Sequence, residues 1–303
     1  MSISALHGIA EKLKSRLTLR KFASFGADCF HGQREGDEVM ADHFSLIGFK
    51  AASAEDLSAL VSSLLEQGGD KEPCPVGYYH RLRLPVGPEL WVHMQKSAEN
   101  DPDPYIAVGI TPFFEGEGRT PIRVRALRQR PDDNLFEGAF YVELGPTIAL
   151  IDVVDFARFA GKRVPFMAIA QVVAFPHELA VYESEAAFDA TQADKAVKFT
   201  PRSFLASGLF TGGGDSELVF LDPEAEDFRA PARAFLTGEV QKAELRQNPV
   251  TGQEFTWAVI GTAGGTFDLV ADAAMLRQPL EPGMIVEGEF WLCGRLIEIF
   301  GAA

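Results

Sequence analysis

From Ala234 to Phe300 short runs rich in β-branched and aromatic residues alternate with compact turn signals, a spacing that suits strands and excludes long helices. Ala234 to Leu245 reads as one long strand, and Asn248-Pro-Val-Thr-Gly252 reverses it. Glu254 to Ile260 returns, Ala263-Gly-Gly265 turns again, and Thr266 to Ala271 continues the sheet. Pro279 and Pro282 mark a connection, after which Met284 to Phe300 supplies one long curved strand or two short ones. Gly288 and Gly294 fall where a sharply bent strand needs side chains missing. Five short strands in about 70 residues predict a small OB-like β-barrel.

A chain of 303 residues exceeds the size at which one core usually stops growing, so division is expected elsewhere as well. Gly212-Gly-Gly-Asp215 and the acidic stretch Leu221 to Pro231 are loop or boundary signals. They separate an α+β domain over residues 1–149 and a mixed helical segment over 150–230 from the barrel over 231–303. In the first of these, Ile3, Leu6, Ile9, Leu13 and Leu17 recur at helical spacing, and Ser53 caps a second helix that Gly68-Gly69 stops. From Tyr78 to Leu144 the period becomes two, which predicts one antiparallel sheet with a wet face. Between 150 and 207 helix and strand compete: Val172-Val-Ala-Phe175 suits either, and His177 to about Ala190 reads as a surface helix. The fold class expected is therefore α+β, with N-terminal helices on an antiparallel sheet, a mixed helical middle and the terminal barrel.

The net charge of −15 repels polyanions, and residues 231–303 hold nine acidic against five basic side chains, so nucleic acid is not the expected partner even for an OB-like domain. Cys29, Cys74 and Cys293 lie far apart without paired spacing, which suits a reducing, cytoplasmic setting and argues against a cysteine metal site. No apolar run is long enough for a membrane helix, and no signal peptide is expected. No cofactor is expected either, because Gly208 to Asp215 lacks the Gly-Lys-Ser/Thr of a phosphate loop and Gly261 to Gly265 lies between strands.

Against this acidic background Arg119 to Arg130 stands out, with five arginines in 12 residues and no acid. Arg81 and Arg83 alternate with leucines, as Arg123 and Arg125 alternate with Ile122 and Val124. If the two strands share one wet face, the four guanidiniums form a cluster able to hold a small anionic ligand or an acidic protein segment by bidentate contacts. Pairing with the chain's own carboxylates, such as Glu89 and Glu143, is the plainer alternative. A second candidate gathers Asp152, Asp155, His177 and Glu178 into an interdomain acid-base or metal-assisted site. His177-Glu178 lacks the second histidine of a zinc-protease helix, and the six histidines show no ligand spacing, so no metal is assigned. The expected function is a non-enzymatic binding or assembly protein, with an enzyme centred near His177 as the alternative.

Overall fold

Ser53 opens the first helix of the described chain as the sequence predicts: its hydroxyl accepts the Asp56 N–H, and Gly68 ends the helix at positive φ. The computed structural model describes residues 43–51, 53–97, 104–195, 197–211, 219–223, 225 and 228–300. The expected helix over residues 2–21 lies outside them. Helix α1 (Ala54–Gln67) turns Leu57, Val61 and Leu64 inward. Against it lies an antiparallel four-stranded meander of β1 (Asp70–Cys74), β2 (Gly77–Arg83), β3 (Pro88–Lys96) and β4 (Tyr105–Phe114).

The remaining large sheet has ten strands, mixed parallel and antiparallel. Its strands begin with β5 (Thr120–Arg128), β6 (Ala139–Leu144), β7 (Thr147–Val153), β8 (Phe166–Pro176) and β9 (Ala180–Tyr182). Helix α2 (Glu185–Gln192), β10 (Phe204–Leu205) and the small pair β11 (Phe210–Thr211) and β12 (Val219–Phe220) come next. The chain ends in β13 (Arg233–Gln247), β14 (Glu254–Thr262), β15 (Gly265–Asp272) and β16 (Ile285–Phe300).

The structure departs from three expectations. The sheet expected over Tyr78 to Leu144 is two sheets, because β5 and β6 join the large one. The middle segment carries more strand than helix, with α2 its single α-helix among the described residues. Val172 to Phe175 belongs to β8, whose flanks are both occupied, so its apolar residues run on without alternation. Among the described residues no OB-like barrel is present. Residues 231–303 supply four strands of the ten-stranded sheet, and the place beside β15 and β16 that a fifth strand would close is taken by β8, from before residue 230.

The pairings show why. β5-β6-β7 is a meander whose last strand runs parallel to β16, and β13-β14-β15 is a meander whose last strand runs parallel to β8. Each meander's first strand pairs antiparallel with its own half's last strand, β5 with β8 and β13 with β16, and β8 pairs with β16. Two closed circuits of pairing thus share β8 and β16. They are related by a pseudo-two-fold through the Val173–Cys293 pair: Asp152 is opposite Cys293, and Asp268 is opposite Val173. Both leading strands carry a bulge, after Val124 and after Val240.

One core, including Val124, Val142, Ile151, Ala174, Leu236, Ile260 and Leu292, runs through both circuits. A second lies between the four-stranded sheet and the large one, where Tyr79, Trp91, Phe113 and Phe114 meet Phe175, Trp257 and Cys293. Burial of this much aromatic surface at about 25 cal/mol per Å² is the main force joining the two sheets. Among the described residues no helix is long and apolar enough to cross a membrane.

Candidate functional site

Strict alternation on β5 buries Ile122, Val124 and Ala126 and turns Arg123 and Arg125 to solvent. Both guanidiniums reach the same carboxylate: Glu143 on β6 lies 3.6 Å from Arg123 and hydrogen-bonds Arg125. Register continues this row across the sheet, because Arg123 is opposite Met167 of β8 and Met167 is opposite Phe300 of β16. Met167 and Phe300 are 46% and 42% exposed, which is high for large apolar side chains, so two arginines border an open apolar strip.

Arg81 and Arg83 do not join them, since β2 belongs to the other sheet. Arg83 pairs with Asp70 at 2.6 Å. Arg81 is nearly buried over the Trp91 ring and bonds Glu89, which also accepts the Trp91 indole N–H at 2.8 Å. Arg295 of β16 approaches the same Glu89 at 3.6 Å and Glu115 at 3.5 Å. The Arg81 guanidinium is thus part of an ion-paired tie between the two sheets.

The second candidate set is only partly gathered. Asp152 on β7 accepts from Arg130 at 2.8 Å and from the Trp291 indole at 2.7 Å. Trp291 stacks on His43 with ring centres 4.3 Å apart, and His43 lies 5.3 Å from the His177 ring. Burial, with Arg233 nearby, holds the His177 imidazole below its ordinary value, and its Nε2 has no partner among the described residues. Burial likewise takes His43 down to about 3. Asp155 stands apart, bound to Arg158 at 3.4 Å; its Oδ1 is buried without a partner, and burial pushes the carboxyl up to about 6. Glu178 is exposed beyond the end of β8, and its N–H shares the Glu289 carbonyl with that of His177.

Two polar centres escaped the sequence reading. In the first, Arg130 binds Asp133 as well as Asp152. Burial disfavours its charge, but the two carboxylates outweigh that and hold the guanidinium above its usual range. Beside them Glu137 faces His93, which is buried on β3. The Pro131 to Asn134 turn signal identified this stretch as a loop but not as one that carries buried polar groups inward.

The second centre is Asp268, fully buried on β15, which accepts from the N–H groups of Glu117 and Gly118 and from Gln171 and Trp257. Burial still raises its carboxyl above the ordinary value, the donors offsetting only part of the effect. A charged residue between Phe267 and Leu269 in a strand was the available signal. Among the described residues no three His, Cys, Asp or Glu side chains converge to hold a metal ion. No protein-family model matches this chain, and no curated protein does.

Proposed function

We propose that this chain is a binding or assembly protein whose β5-β8-β16 face recognises an extended acidic segment of a partner protein. The observation that carries the reading is the cross-strand row in which Arg123 and Arg125 share one carboxylate beside exposed Met167 and Phe300. A carboxylate from a partner offers the second counter-charge that two guanidiniums can use, through charge-assisted hydrogen bonds. Apolar side chains of the same segment cover Met167 and Phe300. This favours a peptide over a small anion, which would leave the strip uncovered. On a protein of net charge −15 such a spot also selects where an acidic partner approaches.

The acid-base alternative near His177 has weaker support. Asp155 is bound to Arg158, the Glu178 side chain is exposed, and the Asp152 carboxylate is engaged by Arg130 and Trp291.

The test is fluorescence anisotropy of the full chain with a labelled peptide of repeating Glu-Ser-Val-Ser, which puts Glu and Val on one face of an extended segment, against a Lys-Ser-Val-Ser control. The Glu peptide should bind, weaken with added salt, and lose roughly tenfold in affinity with R123A/R125A. M167S should weaken it with little change in salt dependence. Equal binding of both peptides, or unchanged affinity in R123A/R125A, removes this face as the recognition surface.

A further inference from the structure

The pseudo-two-fold places two aspartates equivalently, yet their surroundings differ. Asp152 is opposite Ala139 on β6, and Asp268 is opposite Val259 on β14. Two residues earlier on those neighbouring segments stand Glu137 and Trp257. Trp257 gives its indole N–H to Asp268 at 2.9 Å. Glu137 has a proton to give only when its carboxyl is protonated.

What faces Glu137 limits it further. Its Oε1 lies 3.8 Å from Nδ1 of His93, and its Oε2 accepts the Asn134 N–H at 3.1 Å. The Asn134 side chain is oriented by its Oδ1, which accepts from Phe136 N–H, so its Nδ2 is the group 3.4 Å from His93 Nδ1. That nitrogen is therefore an acceptor. A neutral His93 carries its proton on Nε2, 3.2 Å from Thr111 Oγ1. The other groups around Glu137 bring no spare donor. The Tyr79 hydroxyl donates to the Phe136 carbonyl, the Arg130 guanidinium binds Asp133 and Asp152, and both of those carboxylates repel a charge on Glu137. The single lone pair of His93 Nδ1 is thus placed between the Asn134 amide and the Glu137 carboxyl oxygen, and a proton on Glu137 lets that oxygen share the lone pair as a second donor instead of repelling it.

We propose that Glu137 is a proton-operated clasp on the 129–138 loop, closed when its protonated carboxyl meets His93 and loosened when it ionises. Burial, reinforced by Asp133 and Asp152, takes the Glu137 carboxyl up to about 7, while burial alone takes His93 down to about 3. The proton therefore resides on Glu137, and it leaves near neutral pH. The loop so held joins β5 to β6, and it is also tied by Gln129 to the Asn134 carbonyl and by ion pairs of Arg130 with Asp133 and Asp152 and of Arg229 with Asp132.

The experiment is amide hydrogen exchange of the full chain at about pH 5.5 and about pH 8, corrected for intrinsic rates, with α1 as internal reference. Protection of residues 129–138 should fall roughly tenfold relative to α1 at the higher pH. In E137Q, whose amide can donate to His93 at either pH, it should stay near the acid value. Direct carbon NMR titration of the Glu137 carboxyl in the wild-type chain covers the case in which E137Q does not fold. A midpoint near the ordinary glutamate value, loop protection that does not change with pH, or the same fall in E137Q would each overturn the clasp.

Discussion

Asp268 and His93 are buried and Glu137 is partly buried, and these polar groups have opposite demands. Around Asp268 the donors are complete, and neither Gly116 nor Gly118 has room for a Cβ beside the carboxylate. Asp268→Ala would strand the Trp257 indole, one N–H of the Gln171 amide and two backbone N–H groups. A loss of about 3 kcal/mol or more is expected from the denaturant midpoint, with Asp268→Asn milder. For Glu137 and His93 the prediction concerns pH. Folding takes His93 from 6.5 to about 3, so its contribution is present above 6.5 and lost as pH falls toward 3. Folding takes Glu137 from 4.5 to about 7, so its contribution is present below 4.5 and lost as pH rises through 7. E137Q removes only the second, so its stability relative to wild type should climb between pH 4.5 and about pH 8. The expected gain is about 1–2 kcal/mol, below full linkage because the side chain is 28% exposed. No change across that range in paired urea titrations would remove the predicted shift. At this scale the sequence exposed Arg123 and Arg125 through their alternation with apolar neighbours. It hid Glu137 and His93, because a contact between residues 44 positions apart leaves no local pattern.

Elements were legible where their own residues dictate them. Ser53, the Leu57 to Leu65 stripe and Gly68 define α1 without help from the rest of the chain, and the alternation of β5 does the same. Strands β13 to β16 were also visible as strands, and β13-β14-β15 as successive reversals of one sheet; the pairing of β15 and β16 with β8 was not. The expected helix from His177 is instead β9 followed by the shorter α2, because Ala180 to Tyr182 pairs with Ile285 to Glu287 on β16. Gly288 illustrates how a residue can be noticed for a reason that is only part of the answer. A Cβ there would collide with the Glu178 backbone carbonyl arriving from the end of β8, so the site demands a close approach of two strands as well as curvature. Gly288→Ala should therefore push β8 and β16 apart and cost about 2 kcal/mol or more. Gly252→Ala gives the contrast, since its positive φ is strained but its Cβ would meet nothing within 4 Å, and about 1 kcal/mol is expected. Equal thermal shifts for the two variants would argue against the β8–β16 approach as the cause.

The whole molecule is organised by the sharing of β8 and β16, and that sharing is what local pattern could not reveal. β7 and β15 hold equivalent places, yet Thr147 to Val153 reads TIALIDV and Gly265 to Asp272 reads GTFDLVAD, with too little in common to announce a repeat. Turn signals near residue 230 were read as a boundary, but β13 to β16 complete their circuit only with β8, and the first circuit closes only with β16. Each half leaves the other with an unpaired strand edge and an uncovered apolar core face. Residues 231–303 alone are therefore expected to lack a cooperative fold, with poorly dispersed amide signals and no sharp thermal transition. Adding the segment that carries β5 to β8 should restore both. In the full chain, Trp91 sits in the four-stranded sheet while Trp257 and Trp291 sit in the large one, and the core between them contains residues from both. Tryptophan fluorescence and far-ultraviolet dichroism should accordingly trace one superimposable unfolding curve. An isolated 231–303 fragment that melts cooperatively, or two resolved transitions in the full chain, would mean that the exchanged strands are an embellishment on independent units; a single transition with a fragment that folds only on complementation means that the exchange is the fold.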